Sequence, residues 1–181
     1  MAIHGSLLER FDDAEYRLCR RLNRGIEYRW LRVLFKTASR LGDGVIWYAF
    51  MLALPLIYGI RGLQVSLIML VTGGAGLLVY KILKRTFVRE RPFIRHSGIS
   101  LAGAPLDRYS FPSGHTLHAV SFTWQMVAAF PELAVLLVPL ALTIAASRVV
   151  LGLHYPTDVL VGALLGVFFG AVGGAIGAGM Q

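Results

Sequence analysis

The chain has 181 residues, of which 56% are hydrophobic and 15% are charged, and its mean hydropathy is +0.63. This apolar content exceeds what the core of one soluble domain needs, so the composition favours a single membrane domain. The formal net charge of +8 suits an anionic lipid surface or an anionic ligand. Nucleic acid is not expected as a partner, because no recognition module accompanies the basic residues. The single cysteine, Cys19, excludes an intrachain disulfide and a cysteine-based zinc or iron–sulfur site.

Residues 1–41 are predicted to form an amphipathic helical region. Apolar side chains recur between residues 6 and 41 at steps of three and four, and Gly25 is where the helix is expected to break. The favoured placement is an interfacial helix that lies on lipid, and the alternative is a solvated helix packed on the protein itself. The segment has acidic residues and no continuous apolar stretch, so it does not resemble a cleavable signal peptide.

Residues 42–181 are predicted to form the membrane domain. They contain five apolar runs, at 44–60, 63–83, 116–130, 133–147 and 159–178. A membrane span needs about 20 residues, so the third and fourth runs require flanking polar residues at interface depth. The predicted fold class is therefore all-α, a polytopic membrane helix bundle with about five transmembrane helices and an N-terminal amphipathic helix.

The last run has a small residue at every fourth position: Gly162, Gly166, Gly170, Gly174 and Ala178. This spacing removes side chains from one helix face and lets another helix approach closely. Packing within the chain is the favoured interpretation, and a dimer interface is the alternative.

Histidines, cations and a carboxylate lie at the ends of these runs, where each charge costs several kcal/mol unless it is paired or binds a ligand. His154 and Asp158 are four residues apart, and Pro156 between them can open a helix. Asp158 could then accept a hydrogen bond from one imidazole nitrogen and leave the other free to attack phosphorus. His154 is therefore the candidate nucleophile and Asp158 its orienting partner.

Ser113 and Gly114 come directly before a helix that is predicted to begin near His115. The backbone N–H groups at that helix start would point toward an anion, and glycine permits a close approach. His115 is the candidate general acid for the leaving group and then the base for water.

Three cations complete the candidate phosphate site: Lys84, Arg91 and Arg148. The two guanidinium groups can each bind phosphate oxygens through a planar fork, and the lysine supplies a compact charge. With these fixed charges and helix amides the predicted chemistry requires no metal and no cofactor. Carboxylate clusters that could bind a metal are absent from these segments of the sequence.

Three segments together resemble the signature motifs of the type 2 phosphatidic acid phosphatase superfamily. They are Lys84 to Pro92 (KxxxxxxRP), Pro112 to His115 (PSGH) and Ser147 to Asp158 (SRxxxxxHxxxD). The resemblance implies a membrane lipid phosphatase with a phosphohistidine intermediate. It also implies His154 as nucleophile, Asp158 as its partner, His115 as acid and base, and a phosphate pocket made of Lys84, Arg91, Ser113, Gly114 and Arg148.

The charge distribution predicts the side of the membrane on which the motifs lie. Residues 1–41 hold nine Lys or Arg, whereas the connections at the opposite end hold Arg61 alone. The positive-inside rule therefore predicts an active site on the cytoplasmic side. Together with the resemblance to bacterial members of the family, this implies a multi-pass protein of the bacterial inner membrane. Members of the family that recycle undecaprenyl diphosphate or trim lipid A act at the periplasmic face, which is the alternative.

Several substrates and functions stay open at this point. A cytoplasmic site suits phosphatidylglycerol phosphate, phosphatidate or a polyprenyl-linked phosphate, and a periplasmic site suits undecaprenyl diphosphate or lipid A. In each case the partners are a phosphorylated lipid and the bilayer. Two alternatives belong to other classes: a vanadium-dependent haloperoxidase with vanadate on His154, and a non-catalytic membrane protein that only binds phospholipid.

Overall fold

The computed structural model describes residues 7–180, in which helices predominate and the only strand-like contact is an isolated bridge between Glu90 and Tyr109. The α-helices of this part of the chain are α1 Leu7–Asn23, α2 Arg29–Leu41, α3 Val45–Thr86, α4 Pro92–Arg95, α5 Gly114–Ala129, α6 Ala134–Val150 and α7 Pro156–Ala178. The predicted all-α fold class is confirmed.

Among residues 7–180, three segments are long and apolar enough to cross a membrane: Val45–Thr86, Pro131–Val150 and Pro156–Ala178. The first of them contains the first two predicted apolar runs. The predicted number of five spans therefore stays a prediction.

Helix α3 is a hairpin with a sharp reversal at Gly59. Gly59 has φ 57° and ψ −135°, which is outside the helical region and open mainly to glycine. Ser66 Oγ donates a hydrogen bond to Met51 O at 2.8 Å. In a continuous helix these residues would be about 22 Å apart along the axis, so residues 45–58 and 60–86 run antiparallel. The predicted apolar runs at 44–60 and 63–83 thus form the two arms of this hairpin, and the boundary between the arms lies at Gly59.

Helix α5 lies at the centre of the bundle and packs against α3, α6 and most extensively α7. The glycine ridge of α7 makes this last contact possible. A Cβ atom at Gly162 would lie 2.5 Å from Ser113 O, and one at Gly166 would lie 2.7 Å from Leu117 O. The predicted packing of the ridge within the chain is confirmed.

Helices α1 and α2 dock on the end of the bundle where α6 ends and α7 begins. The predicted break at Gly25 is confirmed, because a 3-10 turn at Arg24–Glu27 separates them; residue 6, the predicted start, lies outside the described residues. Asn23 Nδ2 donates to both Ser100 O and Val150 O at 2.9 Å. One face of this region is thus packed on the protein.

The opposite face of α1 and α2 leaves several apolar side chains exposed: Leu18, Leu22, Trp30, Val33 and Leu34. That these side chains contact lipid, as the sequence predicts for an interfacial helix, remains a prediction. The division of the chain into residues 1–41 and 42–181 likewise stays a prediction.

Candidate active site

His154 lies on the short connection between α6 and α7 and is 2% exposed. Its Nε2 is 3.3 Å from Arg91 Nη1, and its Nδ1 is 3.6 Å from Asp158 Oδ2. The second distance is too long for a hydrogen bond, and His154 Nδ1 has no hydrogen-bond partner among residues 7–180. The two ring nitrogens therefore face groups of opposite charge.

The surroundings of His154 favour the neutral imidazole. Burial lowers the pKa of His154 well below its usual value, and the charges of Arg148, Arg91 and Lys84 act in the same direction. At neutral pH one nitrogen of the ring accordingly has an available lone pair, which a nucleophile requires.

Asp158 is fixed at the first turn of α7. As predicted, Pro156 opens the helix, because its fixed φ suits that position and its missing N–H removes an unpaired donor. Asp158 Oδ2 accepts a hydrogen bond from Tyr155 N at 2.8 Å. Asp158 Oδ1 accepts one from Arg89 Nη1, also at 2.8 Å. Both carboxylate oxygens are thus held beside His154.

Arg89, which precedes Glu90 and Arg91 in the first motif, is a further cation of the site. It pairs with Asp158 and also, through Nη2, with Glu15 of α1. Glu15 Oε1 in turn accepts a hydrogen bond from Thr157 N at 2.9 Å, so it satisfies an N–H at the start of α7. The N-terminal region therefore reaches the carboxylate next to His154.

Two of the predicted phosphate-binding cations, Lys84 and Arg91, converge on one carboxylate, that of Asp107. Lys84 Nζ lies 2.6 Å from Asp107 Oδ2, and Arg91 Nη2 lies 2.7 Å from Asp107 Oδ1. Tyr80 OH donates to Asp107 Oδ2 at 2.5 Å. Arg91 is also anchored by Leu153 O, which accepts from its Nη1 at 2.7 Å. Asp107 thereby links Lys84 to Arg91 and so to His154.

The third predicted cation, Arg148, lies in the last turn of α6 and is 1% exposed. It donates to Ser39 Oγ of α2 through Nη1. Its Nε is buried without a hydrogen-bond partner within the described part of the chain. A buried guanidinium with an open donor is suited to bind an anion, since an unpaired charged donor is costly.

The predicted helix start at Ser113 and Gly114 is confirmed. Ser113 caps α5, with its Oγ facing Thr116 N, and Ser113 N donates to Asp158 O at 3.0 Å. Within residues 7–180 the N–H groups of Gly114 and His115 have no backbone acceptor. A Cβ atom at Gly114 would lie 2.9 Å from the Tyr80 ring, so glycine is also needed for packing.

His115 Nε2 lies 2.6 Å from Asp43 Oδ1. Burial and the charge of Arg148 lower the pKa of His115 to about 4, although the carboxylate of Asp43, which precedes α3, acts in the opposite direction. Gly42 beside it packs closely against the same ring, because a Cβ at Gly42 would lie 3.0 Å from His115 Cδ2.

The structure joins four of the eight predicted site residues in one chain of side-chain contacts, in which Asp107 links Lys84 to Arg91, Arg91 contacts His154 and His154 faces Asp158. The other four lie at the same end of the bundle: Ser113 N donates to Asp158 O, Gly114 and His115 follow Ser113, and Arg148 O accepts from His154 N. Sequence reasoning missed the carboxylates of Asp107 and Asp43. A signal existed for both: Asp107 is the single acidic residue between Glu90 and Glu132, and Asp43 is the single one between Glu27 and Glu90. An isolated carboxylate near a cluster of cations is a candidate partner for them.

The sequence and the fold are both similar to those of known proteins. Decaprenylphosphoryl-5-phosphoribose phosphatase of Mycobacterium tuberculosis (strain H37Rv) is 36% identical over 117 residues, which are 62% of this chain and 63% of that protein. The crystal structure of Aquifex aeolicus LpxE superposes with a TM-score of 0.74 at 26% identity, over 87% of this chain and 92% of that one.

A second crystal structure, the transmembrane PAP2-type phosphatidylglycerolphosphate phosphatase of Bacillus subtilis, has a TM-score of 0.73 at 25% identity and covers 99% of this chain and 90% of that one. A family model described as the PAP2 superfamily matches residues 62–176, which include all three motifs. By its motifs, its fold and this match, the chain belongs to the PAP2 superfamily.

Proposed function

We propose that this chain is a membrane lipid phosphatase in which His154 attacks the phosphate of a phosphorylated lipid and forms a phosphohistidine intermediate. One observation carries the proposal. His154 is buried in surroundings that lower its pKa, with Nε2 3.3 Å from Arg91 Nη1 and Nδ1 3.6 Å from Asp158 Oδ2. This places a nucleophilic nitrogen on the side of the cations and the orienting carboxylate on the other side.

In the first step the Nε2 lone pair forms a bond to phosphorus and the bond from phosphorus to the ester or bridging oxygen breaks. A shift of about half an ångström would bring Nδ1 into hydrogen-bond distance of Asp158, as often happens when a ligand binds. The proton on Nδ1 then stays there, and Asp158 stabilises the positive charge that develops on the ring. Lys84, Arg91 and Arg148 bind the phosphoryl oxygens.

His115 transfers the protons. Burial and the charge of Arg148 oppose the protonated form of His115, whereas Asp43 and the negative charge of the bound phosphate favour it. In this form, reached with substrate bound, His115 donates a proton to the departing oxygen of the lipid. It then removes a proton from water, whose oxygen attacks phosphorus as the bond to His154 Nε2 breaks. Inorganic phosphate leaves, and His154 and His115 return to their starting states.

The positive charge in this mechanism comes from side chains. Three fixed cations and the free N–H groups at the start of α5 supply what a magnesium ion supplies in other phosphoryl-transfer sites. The proposed reaction therefore needs no metal, and chelators should leave it unchanged.

The substrate is proposed to be a phosphate monoester or diphosphate on a long-chain lipid. The names of the similar proteins point to polyprenyl-linked phosphates and to phosphatidylglycerol phosphate. We place the site on the cytoplasmic side, because α1 and α2, with most of the Lys and Arg outside the motifs, dock at the same end as the motifs. The apolar helices and the bacterial relatives support a bacterial membrane location.

Phosphate release from purified protein tests the proposal. The panel comprises phosphatidate, phosphatidylglycerol phosphate, and polyprenyl mono- and diphosphates, each with and without EDTA. His154→Asn should lower the rate by at least about a thousandfold, as expected for loss of a nucleophile. His96→Asn changes a histidine of the loop after α4 and should keep the rate.

A rapid alkaline quench with a ³²P-labelled substrate should trap an acid-labile phosphoprotein in the wild type and none in His154→Asn. Full activity of His154→Asn, or release that requires a divalent metal, would contradict the mechanism.

A further inference from the structure

The carboxylate of Asp107 occupies two of the cations that the proposed mechanism assigns to phosphate. Its oxygens lie 2.6 Å from Lys84 Nζ and 2.7 Å from Arg91 Nη2. Arg91 Nε also donates to the backbone oxygen of Asp107 at 2.9 Å. A carboxylate bridging two cations offers them two oxygens and one negative charge, which is also what a phosphodiester offers.

The surroundings of Asp107 keep it charged. Partial burial acts in the opposite direction, but hydrogen bonds from Lys84 and Tyr80 and the charges of Lys84 and Arg91 lower the pKa of Asp107 below its usual value. Asp107 is therefore a tethered anion at neutral pH.

Asp107 is held on a segment with few other attachments. The loop is fixed at Ala102, whose N donates to Leu151 O at 3.2 Å, and at Ser110, whose N donates to Arg89 O at 2.8 Å. Between these points Leu106 is 64% exposed, and the side chain of Asp107 is 32% exposed. The carboxylate is thus accessible from solvent while it contacts the cations.

We propose that Asp107 is a specificity-determining residue that competes with the ligand for Lys84 and Arg91, so that a doubly charged phosphate displaces it and a singly charged phosphodiester does not. The inference rests on the proposed function of the site. A phosphodiester has the same charge as the Asp107 carboxylate, so replacing the carboxylate on Lys84 and Arg91 brings no additional attraction. The carboxylate also has the advantage of a high effective concentration, because it is tethered to the chain. A phosphate monoester, or the terminal phosphate of a diphosphate, brings a second charge and a third oxygen.

This selection has a use at a membrane surface. Three cations at the bilayer rim would otherwise attract the abundant phosphodiester headgroups of anionic lipids. Asp107 cancels one of these charges until a ligand with two charges replaces it.

Ligand binding tests the inference independently of turnover. All proteins carry His154→Asn, which removes the nucleophile, and the probes are inorganic phosphate and dihexanoyl-phosphatidylglycerol, measured by the rise of Tm with ligand concentration. Asp107→Asn should tighten phosphate binding by about tenfold, the scale of one charge-assisted hydrogen bond. It should also create binding of the phosphodiester.

Three further variants complete the test. Tyr80→Phe removes the hydroxyl that donates to Asp107 and should shift both affinities in the same direction by less. Asp107→Glu keeps the charge and should restore selectivity. Glu132→Gln removes an exposed carboxylate that pairs with Tyr58 at the far end of the bundle, and should change neither affinity.

Weaker or unchanged phosphate binding in Asp107→Asn, with no gain of phosphodiester binding, would overturn this inference alone if the enzyme with His154 intact still hydrolyses its lipid. Phosphate binding in no variant, together with no hydrolysis, would overturn the proposed function and this inference with it.

Discussion

Arg89 Nη1 lies 2.8 Å from Asp158 Oδ1, and the Arg89 guanidinium carbon lies 3.9 Å from the centroid of the Tyr155 ring. This arginine is therefore held between the carboxylate and an aromatic face, where it contributes charge and a cation–π contact. Asp158 Oδ2 lies 3.6 Å from His154 Nδ1. The ion pair between Arg89 and Asp158 Oδ1 therefore fixes the orientation of the carboxylate that is proposed to orient the nucleophile.

Arg89→Gln should lower kcat by about 10- to 100-fold, the scale of a hydrogen bond to a charged group, and should leave KM nearly unchanged. Arg85→Gln is the matched control, since Arg85 is exposed and lies four residues earlier in the chain. The measurement is the rate of phosphate release against lipid concentration. Equal kcat values for the two variants would show that Arg89 does not position Asp158.

Stability should depend on pH through His154. Its folded-state pKa is well below the usual value, so the unfolded chain takes up a proton near pH 6.5 while the folded protein stays neutral there. The unfolded state then binds more protons, and the stability of the folded protein falls as the pH drops below about 6.5.

The Tm of the wild type should accordingly drop more than that of His154→Asn between pH 7.5 and 5.5. The limiting slope is about 1.4 kcal/mol per pH unit of extra destabilisation in the wild type. Thermal unfolding in detergent gives both curves. Parallel curves would mean that His154 titrates alike in the folded and unfolded states.

Gly162→Ala should destabilise the protein by about 1–3 kcal/mol, the usual cost of overpacking. The added Cβ would lie 2.5 Å from Ser113 O, a backbone atom that cannot move without shifting the start of α5. Activity should fall as well, since Ser113 and His115 lie there. Gly174→Ala is the control on the same helix, because its Cβ would come no closer than 3.7 Å to any atom. The Tm values of the two variants provide the comparison.

Membrane orientation can be read from two exposed positions at opposite ends of the bundle. Arg24 lies in the turn between α1 and α2 at the end with the motifs, and Glu132 lies at the other end. With the site on the cytoplasmic side, Glu132→Cys should react with an impermeant thiol reagent in intact spheroplasts, and Arg24→Cys should react only after permeabilisation. The native Cys19 is 1% exposed and gives the background. The reverse pattern would place the site on the periplasmic side.

The sequence by itself determined the helical class and the identity of the proposed catalytic group. Apolar runs separated by polar connections permit little besides a helix bundle in a membrane, because every backbone N–H and C=O must be satisfied within the chain. The ends of these runs carry His154, Asp158 and His115, and spacing within each short motif is a local property that the order of residues fixes.

The tertiary structure alone decided which distant side chains complete the site. Asp107 reaches Lys84 across 23 residues, and Arg89 reaches Glu15 across 74. Asp43 meets His115 because the hairpin at Gly59 returns the chain, so that α5 begins near the point where α3 begins. Such pairings depend on how helices pack and where loops close, and neither periodicity nor motif spacing contains that information.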